Sequence, residues 1–168
     1  MSYTSFDPRK HIRETIGTSK AINPDSWDEQ YVLSITSSGL DYDIPIYLAE
    51  ETKSDEQPSF PFIDMNLMQG DYEPHDIGAT TRKCEAYIDI GIWYTASDEV
   101  NATDFGKDIV DQLINQVRTN QDSCNFTNVS YIYVRNVKLL REEQMSKKQT
   151  GRQVVYHYVV EIYVIYYD

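Results

Sequence analysis

The chain has 168 residues, 40% of them hydrophobic and 25% charged, which is the balance of an ordinary globular domain and excludes disorder throughout. A chain of this length buries about 70% of its unfolded surface around one core, so residues 1–168 are read as a single domain. The net charge of −12 argues against a surface that grips nucleic acid or anionic membrane through clustered Lys and Arg, but not against one that DNA slides past.

Asp7-Pro8 is a helix-start signal, an N-cap carboxylate followed by a proline where the missing N–H costs nothing. The helix is expected to run to about Gly17, with Ile12 and Ile16 forming a thin apolar stripe suited to packing on a sheet. From Tyr31 to Ile35 the chain alternates with period two, Tyr31, Leu33 and Ile35 against Val32 and Ser34, which predicts a strand. Ile44 to Leu48 predicts another. Pro45 inside it has no ladder donor, which places that strand at a sheet edge. Residues 50 to 61, EETKSDEQPSFP, read as a surface loop.

Phe60 to Met68 predicts a third strand. The following QGDYEPHDIGATT, residues 69 to 81, carries Gly70, Pro74 and Gly78 and reads as a long irregular connection, a length usually associated with a partner. Asp71, Tyr72 and His75 are its candidate contact residues. Cys84 to Thr95 alternates clearly, Ile88, Ile90, Ile92 and Tyr94 on a core face against Tyr87, Asp89, Gly91 and Trp93. That second face is aromatic and polar, as suits contact with another subunit or a helix.

Asn101-Ala-Thr-Asp opens a second helix, amphipathic through Phe105, Ile109, Leu113 and Val117 to about Arg118, followed by a turn over Asn120 to Asn125. A long strand is expected from Val129 to about Leu140. The polar loop REEQMSKKQTGR, residues 141 to 152, offers Arg141, Lys147 and Lys148 as further candidate contacts with a partner. It returns the chain into VVYHYVVEIYVIYYD, whose face Val154, Tyr156, Tyr158, Val160, Ile162, Val164 and Tyr166 is unbroken and apolar. Such a run predicts a central sheet strand, paired with its predecessor in a long antiparallel hairpin.

The search for catalytic patterns returns no Gly-rich phosphate loop, GxSxG, HExxH or spaced Cys/His set. Cys84 and Cys124 read as ordinary thiols, and no metal or cofactor is expected. His157 and Glu161 share a strand face but stand about 13 Å apart at ~3.3 Å per residue, too far to form a pair. Asp64, Asp89 and Glu161 converge only if their strands are neighbours. The tyrosine excess, 14 residues, suits strands and, at Tyr87, Tyr94, Tyr131, Tyr163 and Tyr167 together with Trp93, a subunit interface. A stacking platform for single-stranded nucleic acid is a third reading, with only Arg135 and Lys138 nearby to support it. The opening MSYTSFDPRKHIRE has no apolar h-region and no run approaches the ~20 apolar residues of a membrane span, so synthesis and folding in a cytoplasm are expected.

The succession RKCEAYIDIGIWYTAS, ATDFGKDIVDQLINQV and a closing strand pair ending VEIYVIYYD resembles the tail terminator, or tail completion, proteins of long-tailed phages and related archaeal viruses. The resemblance covers roughly residues 60 to 168 as a pattern of elements. It implies, with the elements above, an α+β fold: a mixed, mainly antiparallel sheet with two helices packed against it and a long C-terminal β-hairpin. It also implies a non-enzymatic virion protein at the head-tail junction. That protein would be a ring, usually of six subunits, capping the tail tube, facing the head connector or a neck protein, and passing DNA without specific binding. Six copies of −12 give −72, which fits a negative lumen that repels the DNA backbone and equally fits acidity that serves solubility, as in a salty cytoplasm, since net charge does not say where the charges sit. A neck or head-closure protein, a small acidic-pocket enzyme and a cellular adaptor are the alternatives.

Overall fold

The computed structural model describes residues 6–21, 29–52, 58–74, 82–95, 102–145 and 152–167. These form helix α1 (Pro8–Ile16), strands β1 (Thr18–Ala21), β2 (Glu29–Ser37), β3 (Leu40–Leu48), β4 (Phe62–Pro74) and β5 (Arg82–Thr95), helix α2 (Ala102–Asp122), and strands β6 (Val129–Met145) and β7 (Arg152–Tyr167). The fold is α+β. One seven-stranded sheet runs in the order β1-β2-β3-β4-β5-β7-β6, antiparallel except for the parallel β3–β4 step.

Helix α1 begins as its sequence dictates, with the Asp7 carboxylate accepting the Arg9 backbone N–H. Arg9 is itself buried. Its guanidinium donates to Asp7, to Glu50 at 2.8 Å and to the Met65 carbonyl, fastening the helix to the connection between β3 and β4. Burial alone would raise the Asp7 pKa, but Arg9 holds the carboxyl below its ordinary value.

Helix α2 lies beside α1 on one side of the sheet. Its stripe Phe105, Ile109, Leu113 and Val117 meets Ile88, Ile90 and Ile92 of β5 and Val160, Ile162 and Val164 of β7 in one contiguous core. The six strand residues are fully buried, each worth roughly 1.5–3 kcal/mol of apolar burial. The terminal strand is central, paired along its length with β5 on one side and β6 on the other.

Four expectations are corrected. Strand β3 is not an edge: Leu40 to Pro45 pair with β2, and Ile46 to Leu48 pair with β4. Pro45 therefore sits at the changeover between two partners, where a missing donor does least harm, and the Ile46 carbonyl is met by the Gln30 side chain at 2.6 Å. Residues 69 to 74 are not loop but the second half of β4, re-phased by a register shift between Leu67 and Gln69 and ending at Pro74. Strand β6 continues to Met145, so Arg141 is paired with Tyr156 and not in a loop. Asn120 belongs to α2, where it is buried and donates to the Gln116 carbonyl while accepting from Asn125. Of the two cysteines, Cys84 is core and Cys124 is exposed in the turn after α2.

Gly106 shows how tightly α2 seats. A β-carbon there would run into the Tyr94 hydroxyl and the Tyr158 ring, and Tyr94 is immobilised by Phe105, Tyr156 and Tyr158. Gly→Ala inside a helix ordinarily stabilises by about 1 kcal/mol. Here the sign reverses: Gly106→Ala is expected to lower stability by about 1–3 kcal/mol in a urea melt, because overpacking outweighs propensity.

Candidate functional site

Both helices lie on one side of the sheet, and no described helix covers the other. Strand register sets out what that open face carries. One row is aromatic: Phe62 of β4, Trp93 of β5 and His157 of β7 stand abreast, with Leu140 of β6 at the end. Phe60 stacks on Phe62, Phe62 on Trp93 with centroids 6.1 Å apart, and Trp93 on His157 at 3.6 Å. A second row is formed by tyrosines. Tyr87, Tyr163 and Tyr133 are register partners across β5, β7 and β6, with ring centroids 5.3 and 5.4 Å apart, and Tyr131 extends the row at 5.5 Å. Offset ring contacts of this kind add about 0.5–1.5 kcal/mol each beyond their area.

Between the aromatic rows lies a polar band. Asp64, Gly91, Val159 and Lys138 form one rung, and Asn66, Asp89, Glu161 and Asn136 the next. The three carboxylates that sequence alone left scattered are thus brought onto one face by neighbouring strands. Two of them, Asp64 and Asp89, open on a cleft of about 250 Å³ that Asn66, Gly91, Trp93 and His157 also line. Burial raises the Asp64 pKa, although the Trp93 indole N–H, at 3.3 Å, and the Gly91 backbone favour the charged form. Burial also raises Asp89, with the Glu161 carboxylate directly across the ladder as the second cause and Lys138 opposing. One Asp89 oxygen is buried without a hydrogen-bond partner among the described residues.

Arg135 joins the band to the tyrosines, 3.3 Å from Glu161 and 4.9 Å above the Tyr87 ring. Tyr163 donates to Glu85; burial and that bond push its phenol up to about 12. His157 and Glu161 are engaged with different partners, Trp93 and Arg135, as their spacing required. Among the described residues no group of His, Cys, Asp and Glu has the arrangement of a metal site.

Of the residues proposed from sequence for a subunit interface, Tyr87, Trp93, Tyr131 and Tyr163 share this face in direct ring contact with their neighbours, whereas Tyr94 is on the core side, buried against Phe105 and Gly106 of α2, and cannot serve one. Tyr167 lies on the same face at the end of β7, paired with Lys83. Of the proposed loop contacts, Asp71, Tyr72 and Arg141 belong to strands β4 and β6, because the two hairpins are longer than their polar composition suggests. His75, Lys147 and Lys148 lie outside the described residues. Sequence reasoning missed Gly91 as a site residue. A β-carbon there would meet Asp64, Trp93 and His157, so the glycine keeps the cleft open; a lone glycine in an alternating strand is the signal for such a close approach.

No model of a known protein family matches the sequence, and no curated protein matches it. No described helix is long and apolar enough to cross a membrane.

Like charges abreast on neighbouring strands destabilise a sheet by a few tenths to about 1 kcal/mol. Asp89→Asn is therefore expected to stabilise the fold by about 0.5–1 kcal/mol at neutral pH. A carboxyl with a raised folded pKa contributes stability below its ordinary value and loses it as pH rises through the folded one. The advantage of the variant should accordingly shrink on acidification, as Asp89 of the wild type takes up its proton. Denaturant melts at pH 7.5 and pH 4 measure the difference.

Proposed function

We propose that this chain is a tail terminator: a structural subunit that assembles as a ring on the end of a viral tail tube and joins it to the head connector. The observation that carries the reading is the open face of β4, β5, β7 and β6. A sheet built to be a free surface presents alternating polar side chains to water. This one carries two aromatic rows, with Tyr131 and Tyr133 exposed, Tyr87, Trp93, His157 and Tyr163 part-exposed and Phe62 buried, and tyrosine, tryptophan and arginine are the residues enriched where proteins meet. The succession of β5, α2 and the β6–β7 hairpin supports the same reading, since it is the order of elements that the tail terminators display. The net charge of −12 agrees with a channel that lets DNA pass without adhering.

The acidic cleft favours one second reading, a site for a small cationic ligand. Its size and the two carboxyls in its wall, Asp64 and Asp89, suit an ammonium or guanidinium group. A ligand held by the folded state raises the melting temperature, so a thermal-shift screen of amines separates this reading from a purely structural role.

The direct test is assembly on tubes. Purified protein mixed with tail tubes, examined by light scattering and negative-stain microscopy, is expected to give rings or capped tube ends. A chain that remains monomeric with tubes present, and that is missing from purified particles, contradicts the proposal.

A further inference from the structure

Among the described residues, six large apolar side chains are left exposed, and their positions are not scattered. Tyr131, Tyr133, Val137, Leu139 and Leu140 all belong to β6; the sixth, Leu40, opens β3, four strands away toward the other side of the sheet. Strand β6 is the sheet's outer strand and is 17 residues long. Natural proteins blunt such an edge with a short strand, a proline or a cover. Here residues 137 to 140 are exposed on both faces: Val137 and Leu139 project on the side of the core, Lys138 and Leu140 on the open side.

Charge is divided along the same axis. Residues 135 to 152 hold six of the chain's 15 Lys and Arg residues and two of its 27 Asp and Glu residues, a net +4 that leaves −16 on the rest. Arg135 and Lys138 are exposed on β6 itself. Toward the other side of the sheet the β2–β3 turn, with Ser38 and Gly39 at positive φ, presents Leu40 at 55% exposure beside Asp41 and Asp43. Asp108 of α2 is drawn to this corner by the Ser37 hydroxyl at 2.6 Å, and Lys20 is bound to Asp43 at 2.7 Å.

Resting on the ring reading above, we infer that the outer edge of β6 docks on the β2–β3 turn of a second copy of this chain, head to tail. The basic, apolar edge of one subunit then meets the acidic corner around Leu40 of the next. Pairing of β6 with another β6 about a two-fold axis is disfavoured, because it sets Arg135 and Lys138 of both strands along one seam. A head-to-tail contact repeats at every joint and closes into a ring when its rotation permits, which a two-fold contact does not. Two separate places on one sheet are where a heterologous contact needs its two halves.

The test uses the full chain and reads assembly by analytical ultracentrifugation, with and without tail tubes. Arg135→Glu/Lys138→Glu reverses the edge, and Asp41→Lys/Asp43→Lys reverses the corner. Each alone is expected to remain monomeric at a concentration where wild type assembles, and the two mixed in equal amounts are expected to assemble again, since each joint regains opposite charges. Should either double variant fail to fold, as judged by circular dichroism, Leu40→Gln and Leu139→Gln probe the same two surfaces through exposed side chains alone. Each is expected to weaken assembly about tenfold. If wild type assembles and the corner variants assemble equally well, or the mixture of folded variants stays monomeric, the docking mode is wrong while the ring reading stands. A wild type that is monomeric even with tubes overturns both.

Discussion

The position of β7 governs the rest of the structure. Its backbone is hydrogen-bonded on both sides, to β5 and to β6, so neither neighbour can shift without breaking a ladder that runs nearly the whole strand. Period-two geometry then sends Val160, Ile162, Val164 and Tyr166 to one side and His157, Val159, Glu161, Tyr163 and Ile165 to the other. The first set is buried under α2; a sheet with one face so committed cannot slip in register, since a one-residue slip would exchange the two faces. The second set is left to whatever the open face meets.

That open face combines features which work against the stability of an isolated subunit. Asp89 and Glu161 stand abreast, an oxygen of Asp89 is buried without a hydrogen-bond partner among the described residues, and large rings take the place of polar side chains. Arg135 offsets part of this by reaching both Glu161 and the Tyr87 ring. Residual cost of this kind is expected where a surface has been shaped by binding more than by folding. The acidic body and the basic outer edge extend the same logic from one face to the whole subunit: each carries what the other lacks.

Much of the fold was legible because its signals are local. The Asp7-Pro8 start, the alternation of β5 and β7, and the four-residue recurrence of Phe105, Ile109, Leu113 and Val117 each declare themselves within a few turns of chain. The errors arose where partners decide. Pro45 removes a donor whatever its neighbours, but only the division of β3 between β2 and β4 makes that harmless. The polar composition after Met68 and Leu140 suggests loops, yet residues 69 to 74 and 141 to 145 are held as strand by long ladders to β5 and β7. The carboxylate band and the two aromatic rows depend wholly on register between strands distant in sequence, so residue types could nominate Asp64, Asp89 and Glu161 without bringing them together. Gly91 reads in sequence only as one member of the second face of β5, and in the structure it is the residue that leaves room for Asp64, Trp93 and His157.

The central claim is that the open face is an interface. Hydroxyl-radical footprinting read by mass spectrometry reports side-chain accessibility residue by residue, and it applies equally to the free subunit and to subunits bound on tail tubes. The account predicts that Tyr87, Tyr131, Tyr133 and Tyr163 are labelled in the free subunit and protected on the tube. Equal labelling of these four tyrosines in both states would contradict it.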